Sequence, residues 1–121
     1  MGKNNKKIGA WGEQLAKVFF NGLGYDCISY NWTRKIGEID LIFTQGKEIV
    51  FVEVKTRTTS FCGWAEDAVT SLKKQKISSL IDQFLLVESK YRNYFPRFDI
   101  LVIELFSSKP NFIHYENVTL I

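Results

Sequence analysis

The segment from Gly37 to Arg57, GEIDLIFTQGKEIVFVEVKTR, constrains this chain most. Two apolar runs flank a short turn at Gln45-Gly46, which predicts a β-hairpin of strands Gly37–Thr44 and Lys47–Arg57. Side chains alternate faces along a strand, so Val50, Val52 and Val54 form one apolar face of the second run. Ile49, Phe51, Glu53 and Lys55 form the other, and Glu38, Asp40 and Ile42 share a face of the first run. Asp disfavours strands, so an Asp beside LIF asks for a reason.

Two registers keep the apolar set together. A two-residue turn at Gln45-Gly46 puts Asp40 opposite Phe51 and makes Glu53 its diagonal neighbour. A four-residue loop, Gln45–Glu48, puts Asp40 directly opposite Glu53. Both place the two acids on one face, with Cβ atoms about 5–8 Å apart. A one-residue slip would flip the apolar residues outward. Two carboxylates about 5 Å apart at an effective dielectric of about 20 repel by roughly 3 kcal/mol. Lys55 alone cannot neutralise both and stay well placed for both. A divalent cation can, and Mg²⁺ prefers oxygen ligands and keeps waters that can react. An isolated EVK is an ordinary solvated strand face. With Asp40 across from it, the expectation is a metal platform for phosphodiester hydrolysis, Asp40 and Glu53 holding the ion and Lys55 positioning water or developing charge.

The surrounding pattern fits one domain over residues 1–121, whose 45% hydrophobic content suffices for a core. Ile8, Trp11, Leu15, Val18 and Phe19 recur at helical spacing within 7–23, ended by Gly22 and Gly24. Tyr25 to Trp32 reads as a strand and TTSFCGWAED as a loop. Ser71 to about Tyr91 is a second helix with apolar face Leu72, Ile77, Leu80, Ile81, Phe84 and Leu85. RFDILVIEL and Phe112–Tyr115 complete the strands. The fold class is α/β: helix, three strands, helix, two strands. Neither phosphate-binding glycine motif is present.

The net charge of +3 permits a nucleic-acid partner. Nine of the basic residues and six acids lie within 1–60. If three of those acids hold metal, the remaining surface there is strongly basic, with Arg34, Lys35 and Arg57 flanking the platform. Lys73, Lys74 and Lys76 begin a helix, where cations oppose the dipole, so a ligand role is attractive. Asp99 reads as structural, paired with a base of the site. Trp11, Trp32 and Trp64 read as core or loop anchors, and Trp64 is also placed to stack on a base. One histidine and two separated cysteines, Cys27 and Cys62, argue against zinc and against nucleophilic triads, and the cysteines are expected to be reduced. No apolar run approaches transmembrane length, and the basic start lacks an apolar signal core, so no membrane partner and a cytoplasmic location are expected.

The stretches GAWGEQLA (9–16), NWTRKIGEIDLIF (31–43), VFVEVKTR (50–57), AEDAVTSLKKQK (65–76) and RFDILVIE (97–104) together resemble the YraN-like family of small bacterial proteins. That family is similar to PD-(D/E)XK nucleases and archaeal Holliday-junction resolvases. The resemblance implies a restriction-endonuclease-like αβββαβ core with a mixed central sheet flanked by helices. It implies Mg²⁺ or Mn²⁺ held by Glu13, Asp40, Glu53 and the Val54 carbonyl, with Lys55 as the motif lysine and Lys73 as a basic residue near the site. The substrate it suggests is branched or structured DNA, in repair or recombination. The analogy with resolvases, whose substrates need two cuts, extends to a homodimer. The alternatives are a nucleic-acid-binding module without catalysis and an adaptor with no nucleic-acid partner.

Overall fold

The computed structural model describes residues 2–58 and 70–120, with side chains from residue 7 onward. The segment expected to be a loop, with Cys62 and Trp64, lies outside the described residues. Helix α1 spans Gly2–Gly22, followed by strands β1 (Asp26–Arg34), β2 (Gly37–Gln45) and β3 (Glu48–Arg57). Helix α2 spans Ser71–Val87, a 3₁₀ turn Ser89–Tyr91, and strands β4 (Phe95–Glu104) and β5 (Asn111–Tyr115) follow. The strands lie in the order β1-β2-β3-β4-β5, with β3 and β4 parallel and every other neighbouring pair antiparallel. The parallel pair needs a crossover, and α2 lies within it.

The expected α/β fold is therefore present: a five-stranded mixed sheet between two helices, as in a restriction-endonuclease-like core. On one face Ala16 and Phe20 of α1 cover Leu41, Phe43, Val50, Val52, Leu101 and Ile103. On the other, Ile77, Leu80, Ile81 and Phe84 of α2 cover Ile39, Ile42, Ile49, Phe51, Ile100 and Val102. Ile49 to Val52 are completely buried because β3 is central and covered on both sides.

The first helix departs from its expected face. Trp11 and Val18, placed on the apolar stripe by spacing, are 51% and 71% exposed. The buried line is Gly12, Ala16 and Phe20, flanked by the partly buried Leu15 and Phe19. Small residues decide this. A Cβ added at Gly12 would collide with Thr56 Cγ2, so α1 approaches β3 where it has no side chain. The second helix stops at Val87 rather than near Tyr91, where the chain turns 3₁₀. Leu72, expected on its apolar face, is 62% exposed in the first turn. Thr70 caps that turn, its hydroxyl accepting the Lys73 backbone N–H at 3.2 Å.

Candidate metal centre and active site

The hairpin adopts the second of the two registers. Gln45 pairs with Glu48, Thr44 with Ile49 and Leu41 with Val52, and the paired ladder ends there, with Asp40 and Glu53 as the next residues on the two strands. The turn is Gly46-Lys47 rather than Gln45-Gly46, and Gly46 sits at φ 58, a left-handed conformation that costs glycine little.

Alternation does not run unbroken through β2. Ile39 and Ile42 both pack under α2, whereas Leu41 and Phe43 pack under α1, so the face changes within Ile39–Leu41. Asp40 occupies that break. Its Oδ2 accepts the Val54 backbone N–H at 2.8 Å, putting a carboxylate into the ladder beyond the last paired residues. The neighbouring strand is irregular at the same level, with Asn31 at φ 48.

Three carboxylates converge here. One oxygen each from Glu13, Glu38 and Asp40 lie within 4.8 Å of one another. Gly12 lets α1 approach β3 closely, so Glu13 on the next position is carried toward Asp40. Burial raises the Glu13 pKa, with the Glu38 charge adding to it, against a hydrogen bond from the Asn31 side chain and the Lys17 charge. Burial, then the charge of Glu53, pushes Asp40 up to about 7, despite the Val54 N–H; Glu13 and Glu38 add to the rise. Glu38 also accepts from the Thr33 hydroxyl at 3.2 Å.

Glu53 is outside that trio and is held instead by two lysine side chains. Lys55 Nζ lies 3.1 Å and Lys73 Nζ 2.7 Å from the same oxygen, Oε1. Burial lowers the Lys55 pKa, and its hydrogen bond with Lys73 lowers it further, against the pull of Glu53. Burial also works against a charge on Lys73, but its hydrogen bonds with Glu53 and Lys55 outweigh that and raise its pKa.

The sequence candidates separate into groups. Glu13 and Asp40 share one cluster, and Glu53, Lys55 and Lys73 form an ion-paired set beside it. The Val54 N–H ties Asp40 to β3. Arg34 is exposed and stacks over Trp32 at 4.1 Å, donating to the Thr33 carbonyl at 2.9 Å. Lys35 is exposed in the β1–β2 turn, and Arg57 ends β3 half-buried. Glu38 was not among the sequence candidates, although its spacing of two from Asp40 was the available signal.

A second charged group lies around Asp99, which is completely buried. Arg97 donates to it through Nε at 2.9 Å and Nη2 at 2.8 Å, and the Asn117 backbone N–H at 3.0 Å. His114 Nε2 lies at 2.7 Å, and Arg97 reaches on to Glu48 and to the Tyr25 hydroxyl. Burial alone would raise Asp99, but His114, Arg97 and Asn117 outweigh it and hold the carboxyl below its ordinary range. Every acceptor position is engaged within the fold, so Asp99 is structural, but the expected pairing with a base of the site is not made: its partners are Arg97 and His114, and the site lysines pair with Glu53.

Among the described residues, no helix is long and apolar enough to cross a membrane. A family model described as uncharacterised protein family UPF0102 matches residues 12–103. A UPF0102 protein of Caldanaerobacter subterraneus is 43% identical over 102 residues, covering 84% of this chain and 83% of its own length. One from Alkaliphilus oremlandii is 39% identical over 114 residues, covering 93% and 97%. One from Geobacter metallireducens is 36% identical over 117 residues, covering 97% and 95%. Matches of this extent are reached only along a shared fold, and the chain belongs to the uncharacterised protein family UPF0102, the YraN-like bacterial proteins it resembles in sequence.

Proposed function

We propose that this protein is a divalent-metal-dependent nuclease that hydrolyses phosphodiester bonds in branched or structured DNA. The observation that carries the reading is Asp40. It is a half-buried carboxyl at a break in a core strand, pushed up to about 7 by burial and by surrounding acids, with Lys55 and Lys73 on the neighbouring Glu53. Such an arrangement is costly without a cation and useful with one.

The donor set suits Mg²⁺ or Mn²⁺. Its members are carboxylates, with no cysteine or histidine in the group. Asp40, Glu53, Glu13 and the Val54 carbonyl would hold the ion, with Glu38 near enough to Glu13 and Asp40 to join. When bound, the ion supplies charge neutralisation and polarises the phosphate. Lys55 is placed to orient the attacking water and to stabilise charge on the phosphate oxygens. The water oxygen bonds to phosphorus as the bond to the leaving oxygen breaks; one water proton ends on the leaving oxygen and the other stays on the new phosphate monoester. Lys73 passes from Glu53 to a phosphate when substrate is present. Arg34, Lys35 and Arg57 supply further phosphate contacts.

The test is a panel of labelled duplex, flap, single-strand and four-way-junction DNAs with Mg²⁺ or Mn²⁺. Cleavage of at least one by wild type, lost in Asp40→Asn, is the expected result. No cleavage of any substrate with either metal defeats the reading for those substrates. One observation favours a second reading, a DNA-binding module without catalysis. Both lysines already neutralise Glu53, which stabilises the platform without metal.

A further inference from the structure

A groove of about 340 Å³ opens beside the carboxylates, between the β1–β2 turn and the start of α2. Its walls are mostly apolar. Ile36 and Leu72 stand at its mouth, 40% and 62% exposed, while Ile77 and Leu80 form its buried side. Gly37 contributes no side chain, and a Cβ there would meet Leu80 Cδ1 at 3.5 Å. Lys73 and Lys76 line the same groove, and so do Glu38 and Glu53 from the acidic end.

A paired duplex presents phosphates and groove edges, which give an apolar slot nothing to bind. An unstacked base presents an apolar face, and its flanking phosphates match the two lysines. The groove shares Glu38 with the carboxylate cluster and includes Glu53 beside it, so a strand whose phosphate lies at the carboxylates extends directly into the slot. The volume is at the small end for ligand clefts. We infer that the groove between Ile36 and Leu72 takes one unpaired nucleobase adjacent to the phosphate at the carboxylate site. This rests on the nuclease reading above and specifies its substrate. An already unpaired base escapes most of the unstacking cost, so DNA with a bulged, flap or junction nucleotide is selected over plain duplex.

The experiment compares binding of two duplexes, one fully paired and one carrying a single unpaired fluorescent adenine analogue. Ca²⁺, which takes oxygen ligands, replaces Mg²⁺ so that affinity is read apart from cleavage. Wild type is expected to prefer the unpaired site by about tenfold, with a change in analogue emission as the base leaves the stack. The double variant Ile36→Ser/Leu72→Ser changes two exposed side chains, so it folds, as circular dichroism checks. It should lose the preference and the emission change while its affinity for plain duplex stays within about twofold. Equal wild-type affinity for both duplexes, or a preference that the double variant keeps, overturns the pocket and leaves the nuclease reading standing. No binding to either DNA overturns both.

Discussion

Asp40 Oδ2 accepts the Val54 backbone N–H at 2.8 Å, across the point where β2 ceases to alternate. A side chain thus makes a bond that backbone would make in a regular ladder. The carboxylate is fixed by the sheet itself, and a group fixed by backbone keeps its place when its charge changes. Holding an acid at a break in the strand, with Glu13 and Glu38 nearby, is a local violation of strand preference, and such violations collect at functional sites.

The raised pKa of Asp40 makes stability depend on pH. A carboxyl at about 7 in the folded chain binds a proton that the unfolded chain, at 3.8, has already lost. Its stabilising effect is therefore full below pH 3.8 and is lost as pH rises to about 7. Asp40→Asn should remove this loss, and the variant should gain on the order of 2–4 kcal/mol relative to wild type at pH 8. Urea unfolding of both proteins from pH 4 to 8 measures it. Identical slopes would mean that Asp40 does not carry the shift. Mg²⁺ should stabilise wild type at pH 8 and leave Asp40→Asn nearly unaffected.

Asp99→Asn should behave in the opposite way. Its folded pKa is lowered, so its contribution is present at neutral pH and lost as pH falls through the folded value. Substitution leaves Arg97 facing a neutral partner in a buried setting and should cost about 3–5 kcal/mol. Chemical denaturation at pH 7 reads the loss. Calorimetric Mg²⁺ affinity should not change in the folded variant, because the bases at Asp99 do not touch Glu53, Lys55 or Lys73. A parallel loss of Mg²⁺ affinity would join the two groups.

What the sequence could show follows from how local each feature is. The hairpin register was narrowed to two because any slip would expose Val50 and Val52, both completely buried in the fold. Asp40, Glu53 and Lys55 were legible because they sit at spacing two or across one turn. Glu13 is legible chiefly through family resemblance, and more weakly through the narrow helix surface at Gly9 and Gly12, since its arrival depends on how α1 lies against β3. The helix face was misread because hydrophobic spacing gives weight to Trp11 and Val18 and none to Gly12, which determines the close approach. The contact of Lys73 with Glu53 joins residues twenty positions apart and exists only once α2 docks. Glu38 shares a strand face with Asp40 in the sequence pattern, but its meeting with Glu13 depends on how α1 lies against the sheet.

The close approach at Gly12 has its own test. Ala is the better helix former, yet Gly12→Ala should destabilise by about 1–3 kcal/mol, because its Cβ meets Thr56 Cγ2. Thr is stiff at its first torsion and cannot swing away freely. Thr56→Ser removes Cγ2, so it should recover most of the loss in the double variant. Gly9→Ala, with nothing within 4 Å of the added Cβ, should stabilise by about 0.5–1 kcal/mol. Equal effects at Gly9 and Gly12 in denaturant melts would dispose of the packing argument.

DNA binding should weaken steeply with salt, because lysine and arginine contacts release counterions from phosphates. Arg34→Ala should weaken binding across all substrates and lower the slope of log affinity against log salt by about 0.9. Lys73→Ala should do the same and leave Glu53 paired with Lys55 alone, 3.1 Å from its Oε1. Fluorescence anisotropy across a salt series checks both. Slopes indifferent to both substitutions would place the DNA on another surface.

Lys55→Ala should damage cleavage far more than binding. Lys55 Nζ is 3.1 Å from Glu53, and burial lowers its pKa, as suits a group that works in the chemical step rather than as a solvated anchor. Losing one such electrostatic donor costs about 10² to 10³ in rate. Affinity should change by less than about tenfold, since the ammonium is one of many basic groups. Lys73 still pairs with Glu53 in the variant, so the acid is not left alone and the fold should survive. Single-turnover cleavage measured beside equilibrium binding separates the two effects, with circular dichroism reporting the fold. If wild type cleaves and Lys55→Ala cleaves equally fast, Lys55 has no part in the chemistry, and Glu53 rather than the lysine beside it is where the metal-assisted step must be sought.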